Sequence, residues 1–143
     1  MSNQGHAMSA TVDAFFYGLY MDEAVLAGAG VTPRSPRKAS AHGYALRIGK
    51  RATLVKAPGS VAWGMVFALM PDDLAKLYGG PGLEVYRPEQ IEVTLENRAI
   101  IPARVYNLPQ APAPDERNPD YAEKLKAVMT RLGFPADYVA RIA

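Results

Sequence analysis

The 143-residue sequence contains no cysteine. That excludes a disulfide framework, a thiolate nucleophile and any zinc–cysteine site. Histidine is almost as scarce, with only His6 and His42. Two are too few for a histidine-rich metal site, and a Ser-His-Asp relay would have to use one of them. Long apolar runs are missing as well. The longest, Val61 to Met70, ends at Pro71 and is about half of the roughly 20 residues that a membrane-spanning helix needs. No Lys or Arg precedes Arg34, so the positive start of a secretory signal is lacking, and a cytoplasmic protein without a membrane partner is expected. Acidic residues are absent between Glu23 and Asp72, a window that holds Arg34, Arg37, Lys38, Arg47, Lys50, Arg51 and Lys56. Such a segment attracts anions, whether a carboxylate ligand or a phosphate backbone. A solvated loop or strand edge is the commoner explanation of a charge block. Neither aromatic interleaving nor a nucleic-acid motif accompanies these charges, so nucleic acid is the least favoured partner.

What is present fits one globular domain: 49 % hydrophobic and 21 % charged residues, with a net charge of only +2. Residues 1–10 are small and polar and read as a flexible arm. Residues 11–110 read as the main domain. Val12 to Tyr17 is a strand candidate stopped by Gly18, and Asp22 and Glu23 favour a short helix through Leu26 that ends at Gly28 and Gly30. Pro33 and Pro36 mark a loop. Gly43 to Ile48 and Thr53 to Val55 are short strands, with a turn expected at Pro58-Gly59. Val61 to Leu69 is apolar throughout, the pattern of a strand buried on both faces. Pro71 to Leu77 has proline first, acids in the first turn and a lysine later, which is a helix signature. Ile91, Val93 and Leu95 alternate with polar residues and pair through an Asn97-Arg98 turn with Ile100 to Tyr106. Residues 111–143 comprise a proline linker and C-terminal helices, of which the first is capped by Asn118-Pro119. Its stripe of Tyr121, Leu125, Val128, Met129 and Leu132 is expected to pack on the main domain. The order of strands and short helices implies an α+β fold with a strongly curved or closed sheet.

Three features can carry chemistry. The turn Tyr17-Gly18-Leu19-Tyr20-Met21 leaves a buried strand and enters a helix start, so its backbone N–H groups could hold a carboxylate. Gly79-Gly80-Pro81-Gly82 is a loop, followed by Glu84 and Tyr86. Eight tyrosines, among them Tyr17, Tyr20, Tyr86 and Tyr106, supply packing surface with a polar tip.

In this order the features resemble the gamma-glutamylcyclotransferase superfamily, which also includes the avirulence-induced-gene-like and BtrG-like proteins. Phe15-Phe16-Tyr17-Gly18 followed by Met21-Asp22 is similar to its N-terminal strand and turn. Val61 to Leu69 is similar to its central strand, Asp73 to Leu77 to the helix after it, and Tyr86 to Val93 to the next strand. Pro119-x-Tyr121, Leu132-Gly133-Phe134-Pro135 and Tyr138 resemble the C-terminal extension of the gamma-glutamylcyclotransferases proper. The resemblance runs from Ala14 to the C-terminus. It implies a small mixed β-barrel with flanking short helices, a C-terminal helical extension and one cavity.

The reaction so implied is intramolecular. The α-amino group of a γ-glutamyl compound attacks its own γ-carbonyl, releasing 5-oxoproline and an amine or amino acid, with no cofactor and no metal. The attacking group is an ammonium at neutral pH and must first lose a proton, a task suited to a carboxylate in a partly apolar cavity. The family places that glutamate directly before a glycine after the short helix, and Pro81 stands in this slot. The first turn departs too, continuing as Leu19-Tyr20. Glu84 is the candidate replacement base. If extension begins early enough, it would share a strand face with Tyr86. Tyr17, Gly18, Leu19, Tyr20, Met21, Tyr86 and Tyr106 are the expected substrate-binding residues. Arg51 or Arg47 could pair a substrate carboxylate, and nothing in the sequence selects either. Glu23 suits a helix start and His42 an ordinary surface. Two readings follow: a cyclotransferase-like enzyme, or a non-catalytic member that kept the cavity and binds a small ligand with amino and carboxylate groups. A homodimer is compatible with both.

Overall fold

The computed structural model describes residues 10–80 and 82–143. The expected N-terminal arm, apart from Ala10, and Pro81 lie outside the described residues. Five strands close into a barrel: β1 (Val12–Phe16), β2 (Arg34–Ile48), β3 (Ala52–Leu69), β4 (Arg87–Leu95) and β5 (Ile100–Asn107), in the spatial order β1-β3-β2-β4-β5. A single 3₁₀ turn (Leu19–Met21) and α1 (Glu23–Gly28) follow β1, and α2 (Pro71–Tyr78) joins β3 to β4. The chain ends in α3 (Pro119–Leu132) and α4 (Ala136–Ala140). No described helix is long and apolar enough to cross a membrane.

The continuous apolarity of Val61 to Leu69 has a topological cause. This half of β3 pairs with β1 on one side (Phe15 with Val66) and with β2 on the other (Ala39 with Gly64), and its Val66 and Phe67 are buried. Closure comes from a parallel contact between β1 and β5 at Ala14 and Arg104. The β4–β5 hairpin turns at Arg98, whose φ of 70° is left-handed, and Asn97 Oδ1 accepts the Ala99 N–H at 3.0 Å.

Two expected breaks are instead irregularities inside long strands. The Pro33–Pro36 segment belongs largely to β2, which begins at Arg34, and the register shifts between Arg34 and Arg37, with Ser35 at φ 51°. A bulge takes the proline without costing a ladder hydrogen bond. Pro58-Gly59 likewise lies within β3. His42 pairs with Val61 and Tyr44 with Lys56, so Gly43 alone faces residues 57–60. Gly43 and Gly59 sit at φ 85° and 86°, and the local turn is absorbed as an excursion of the hairpin.

The C-terminal extension packs on the barrel. Leu125, Val128 and Met129 are buried, Phe134 meets Trp63 edge to face at 6.4 Å, and Lys38 Nζ lies 5.5 Å above the Phe134 ring. Arg131 Nη2 pairs with Asp22 Oδ2 at 2.8 Å and ties the end of α3 to the start of α1.

Candidate functional site

A cavity of about 290 Å³ opens at the end of the barrel where β1 and β5 finish and β3 and β4 begin. Four elements bring tyrosines to it. Tyr17 leaves β1 and Tyr20 sits in the 3₁₀ turn, while Tyr78 ends α2 and Tyr86 precedes β4. Tyr121, in the first turn of α3, supplies a fifth. Tyr78 stacks on Tyr106 with centroids 3.9 Å apart and planes 13° from parallel. The edges of Tyr20 and Tyr86 meet Tyr78 at 5.9 and 5.7 Å.

Hydrogen bonds fix most of the phenolic protons. Tyr17 donates to the Tyr106 carbonyl at 2.7 Å, with the Ala52 carbonyl at 3.3 Å, and Tyr86 donates to the Ala52 carbonyl at 2.6 Å. Tyr20 donates to the Leu77 carbonyl at 3.4 Å. Each oxygen keeps lone pairs that can accept from a ligand N–H. Tyr121 works the other way round: its oxygen accepts the Leu19 N–H at 3.1 Å. Burial pushes Tyr17 and Tyr78 well above the ordinary phenol value, and raises Tyr86, Tyr20 and Tyr121 too. At neutral pH these phenols are therefore protonated, and none of them is a base.

Charge in the cavity has one sign. Lys50 and Arg51, from the β2–β3 tip, line it, and no Asp or Glu does so among the described residues. The linker before α3 holds that tip. Glu116 Oε2 accepts the Lys50 N–H at 3.3 Å, and Asn118 Nδ2 donates to the Lys50 carbonyl at 3.3 Å. Arg47 points away from the cavity and donates to the Pro112 and Ala113 carbonyls, both at 3.4 Å. Of the two arginines the sequence left equal, Arg51 is the one at the cavity. No group of three His, Asp or Glu side chains among the described residues could hold a metal ion.

Of the expected binding residues, Tyr17, Gly18, Leu19, Tyr20 and Tyr86 line the cavity. Met21 does not: it is 1 % exposed in the core, and its N–H donates to the Gly18 carbonyl at 3.0 Å. Nor is the turn a row of free donors, since Tyr121 takes the Leu19 N–H. The helix start beyond it is occupied by its own cap, with Asp22 Oδ1 accepting from Ala24 N at 3.0 Å. Tyr106 stands behind Tyr78 and supports it without lining the cavity. Glu84 is exposed and also off the lining. Extension begins only at Arg87, so Glu84 and Tyr86 lie in a turn and not on a shared strand face. Arg87 Nη1 braces that turn through the carbonyls of Glu84, Val85 and Tyr86 at 3.0–3.3 Å. In Gly79-Gly80-Pro81-Gly82, Gly79 and Pro81 each precede a glycine, and neither bears a carboxylate.

Sequence reasoning missed Tyr78 and Tyr121. In the sequence Tyr121 belongs to the apolar stripe of α3 and to the Pro119-x-Tyr121 resemblance, and neither marks it as a cavity residue. The available signal was the Asn118-Pro119 cap, which puts Tyr121 in the first turn after a linker that returns across the barrel end.

A closed barrel with a tyrosine-lined cavity at its end defines the class of protein. A scan against protein families matches residues 14–125 to the family described as gamma-glutamyl cyclotransferase, AIG2-like. The chain belongs to that family. A comparison with curated proteins finds no match. Among solved structures, one named gamma-glutamyl cyclotransferase is similar, with a TM-score of 0.75, 18 % identity and coverage of 92 % of this chain and 86 % of that one. A human protein titled uncharacterized protein loc79017 is similar with a TM-score of 0.73, 18 % identity and coverage of 94 % and 87 %. YkqA from Bacillus subtilis gives 0.76 at 20 % identity, with 96 % of this chain covering 56 % of that one. At these identities the likeness shows a shared fold.

Proposed function

We propose that the cavity binds a small γ-glutamyl-type molecule bearing amino and carboxylate groups, and that it does so without cyclising the ligand to 5-oxoproline. The observation that carries this reading is the absence of any Asp or Glu among the described residues lining the cavity, within a family whose reaction calls for one. An ammonium must lose its proton before it attacks. Phenols raised by burial cannot take that proton at neutral pH, and an exposed Glu84 faces solvent. Binding needs no base: phenol oxygens accept from an ammonium, and Arg51 and Lys50 attract carboxylates.

The competing reading is cyclisation with Glu84 as base. It is favoured by Leu83, which lines the cavity directly before Glu84 in sequence. One experiment separates the two: the protein is incubated with a panel of γ-glutamyl compounds, and both bound ligand and released 5-oxoproline are measured. Binding with no 5-oxoproline above the enzyme-free rate is expected. Turnover that falls by about 10²–10⁴-fold in Glu84→Gln would establish the competing reading.

A further inference from the structure

The phenols that line the cavity do not offer equivalent hydroxyls. Tyr17, Tyr20 and Tyr86 give their protons to backbone carbonyls, and the Tyr121 oxygen is taken by the Leu19 N–H. The Tyr78 hydroxyl differs from all four. It has no hydrogen-bond partner among the described residues, and it is not sealed away from solvent. Its ring is nevertheless held firmly. Tyr78 ends α2, stacks on Tyr106 at 3.9 Å and meets Tyr20 and Tyr86 edge to face at 5.9 and 5.7 Å. Tyr20 also donates to the Leu77 carbonyl, which pins the end of the helix from which Tyr78 projects. A half-buried hydroxyl that the protein leaves unbonded, on a ring that the protein fixes, is open to water or to a ligand. Burial, and then the neighbouring Tyr20, Tyr86, Tyr106 and Tyr121 phenols, push Tyr78 well above the ordinary phenol value. Its proton therefore stays on at neutral pH and is available for donation.

We infer that Tyr78 is a ligand-binding residue whose hydroxyl donates to an oxygen of the bound molecule. The inference rests on the γ-glutamyl-ligand reading above, under which every ligand carries an α-carboxylate and a γ-carbonyl, both of them acceptors. It divides the polar work of the cavity. Tyr17, Tyr20 and Tyr86 have spent their protons on the backbone, so they meet a ligand as acceptors for its N–H groups. Tyr78 has spent nothing and meets a ligand oxygen as a donor. Because stacking on Tyr106 already fixes the ring, binding has little rotamer freedom left to remove.

The test compares binding with stability in Tyr78→Phe, which keeps the stacked ring and removes only the oxygen. Calorimetric titration with γ-glutamylglycine should show about five- to thirtyfold weaker binding than in the wild type, the range for one lost hydrogen bond to a ligand oxygen. The thermal midpoint without ligand should not fall, because no bond within the protein is lost. Tyr86→Phe supplies the contrast: it removes the 2.6 Å bond to the Ala52 carbonyl and should lower that midpoint. Binding by Tyr78→Phe as tight as in the wild type would overturn the role of Tyr78 and leave the ligand reading standing. So would a midpoint lowered as far in Tyr78→Phe as in Tyr86→Phe, since the hydroxyl would then be bonded within the protein. Absence of binding by the wild type would overturn the ligand reading and this inference with it.

Discussion

At the scale of single residues, the site turns on one missing side chain. Gly18 has an ordinary negative φ of −118°, so its backbone does not demand glycine. The space does, because a Cβ at position 18 would collide with the Tyr121 hydroxyl. That hydroxyl accepts the Leu19 N–H, and the close approach of helix to turn is what makes the bond possible. Gly18→Ala should therefore destabilise the fold by about 1–3 kcal/mol, the usual cost of overpacking. The ring carbon behind the hydroxyl is 3.5 Å from the same Cβ, an ordinary contact. In a Tyr121→Phe background the added cost of Gly18→Ala should then shrink markedly, because the colliding atom is gone. Denaturant unfolding of the four proteins checks this as a double-mutant cycle, and strictly additive effects would contradict it. The same pair shows what the sequence discloses at this scale. Gly18 after an apolar strand is a visible turn signal. Tyr121 is not visible as a cavity residue, since a tyrosine at helical spacing beside Leu125 and Val128 looks like packing, and in this fold it lines the cavity while its oxygen accepts the Leu19 N–H.

At the scale of elements, the helices were legible and the strand lengths were not. α2 and α3 are written locally, with Pro71 and Asn118-Pro119 at their starts and Gly79 and Gly133 at their ends. The β2–β3 hairpin is settled non-locally. Pro36 and Pro58 look like breaks, yet pairing resumes beyond each because the proline lies among extra residues that bulge out of its own strand while the opposite strand keeps its course. Glu84 fell outside expectation for the same reason: where β4 begins is decided by its pairing with Asn107, and this places Arg87 as the first strand residue. The docking of α3 is an element-scale matter as well. Its ion pair from Arg131 to Asp22 leaves the arginine side chain 59 % exposed and contributes little. Burial must supply the rest. Leu125 is 0 % exposed, and Leu125→Ala should cost about 2–5 kcal/mol, read as a lowered denaturation midpoint. An unchanged midpoint would mean that α3 is held by its linker and caps alone.

At the scale of the whole molecule, the basic window between Glu23 and Asp72 is dispersed by the fold. Arg37 goes to Asp13, Lys38 to the Phe134 ring, Arg47 to the linker and Arg51 to the cavity. The barrel closes around a cluster of phenols whose common property is burial, and this gives the molecule a characteristic response to alkali. Tyr17 and Tyr78 are raised well above 10.0, first by desolvation and then by neighbouring tyrosines, which disfavour a second phenolate nearby. In the unfolded chain they ionise near 10. Above that pH the unfolded state holds fewer protons than the native state, so unfolding releases them and stability falls as pH rises. Below about pH 10 both states are protonated, and this contribution to stability is fully present. The loss should thus begin near pH 10 and continue up to the native values, at about 1.4 kcal/mol per pH unit for each tyrosine that the fold keeps protonated. Phenolate absorbance followed together with circular dichroism checks it. The buried tyrosines should ionise only as the secondary structure is lost, and Tyr17→Phe should make the alkaline unfolding less steep. Ionisation of Tyr17 and Tyr78 near pH 10 with the fold intact would refute the buried phenol cluster as the source of alkaline lability.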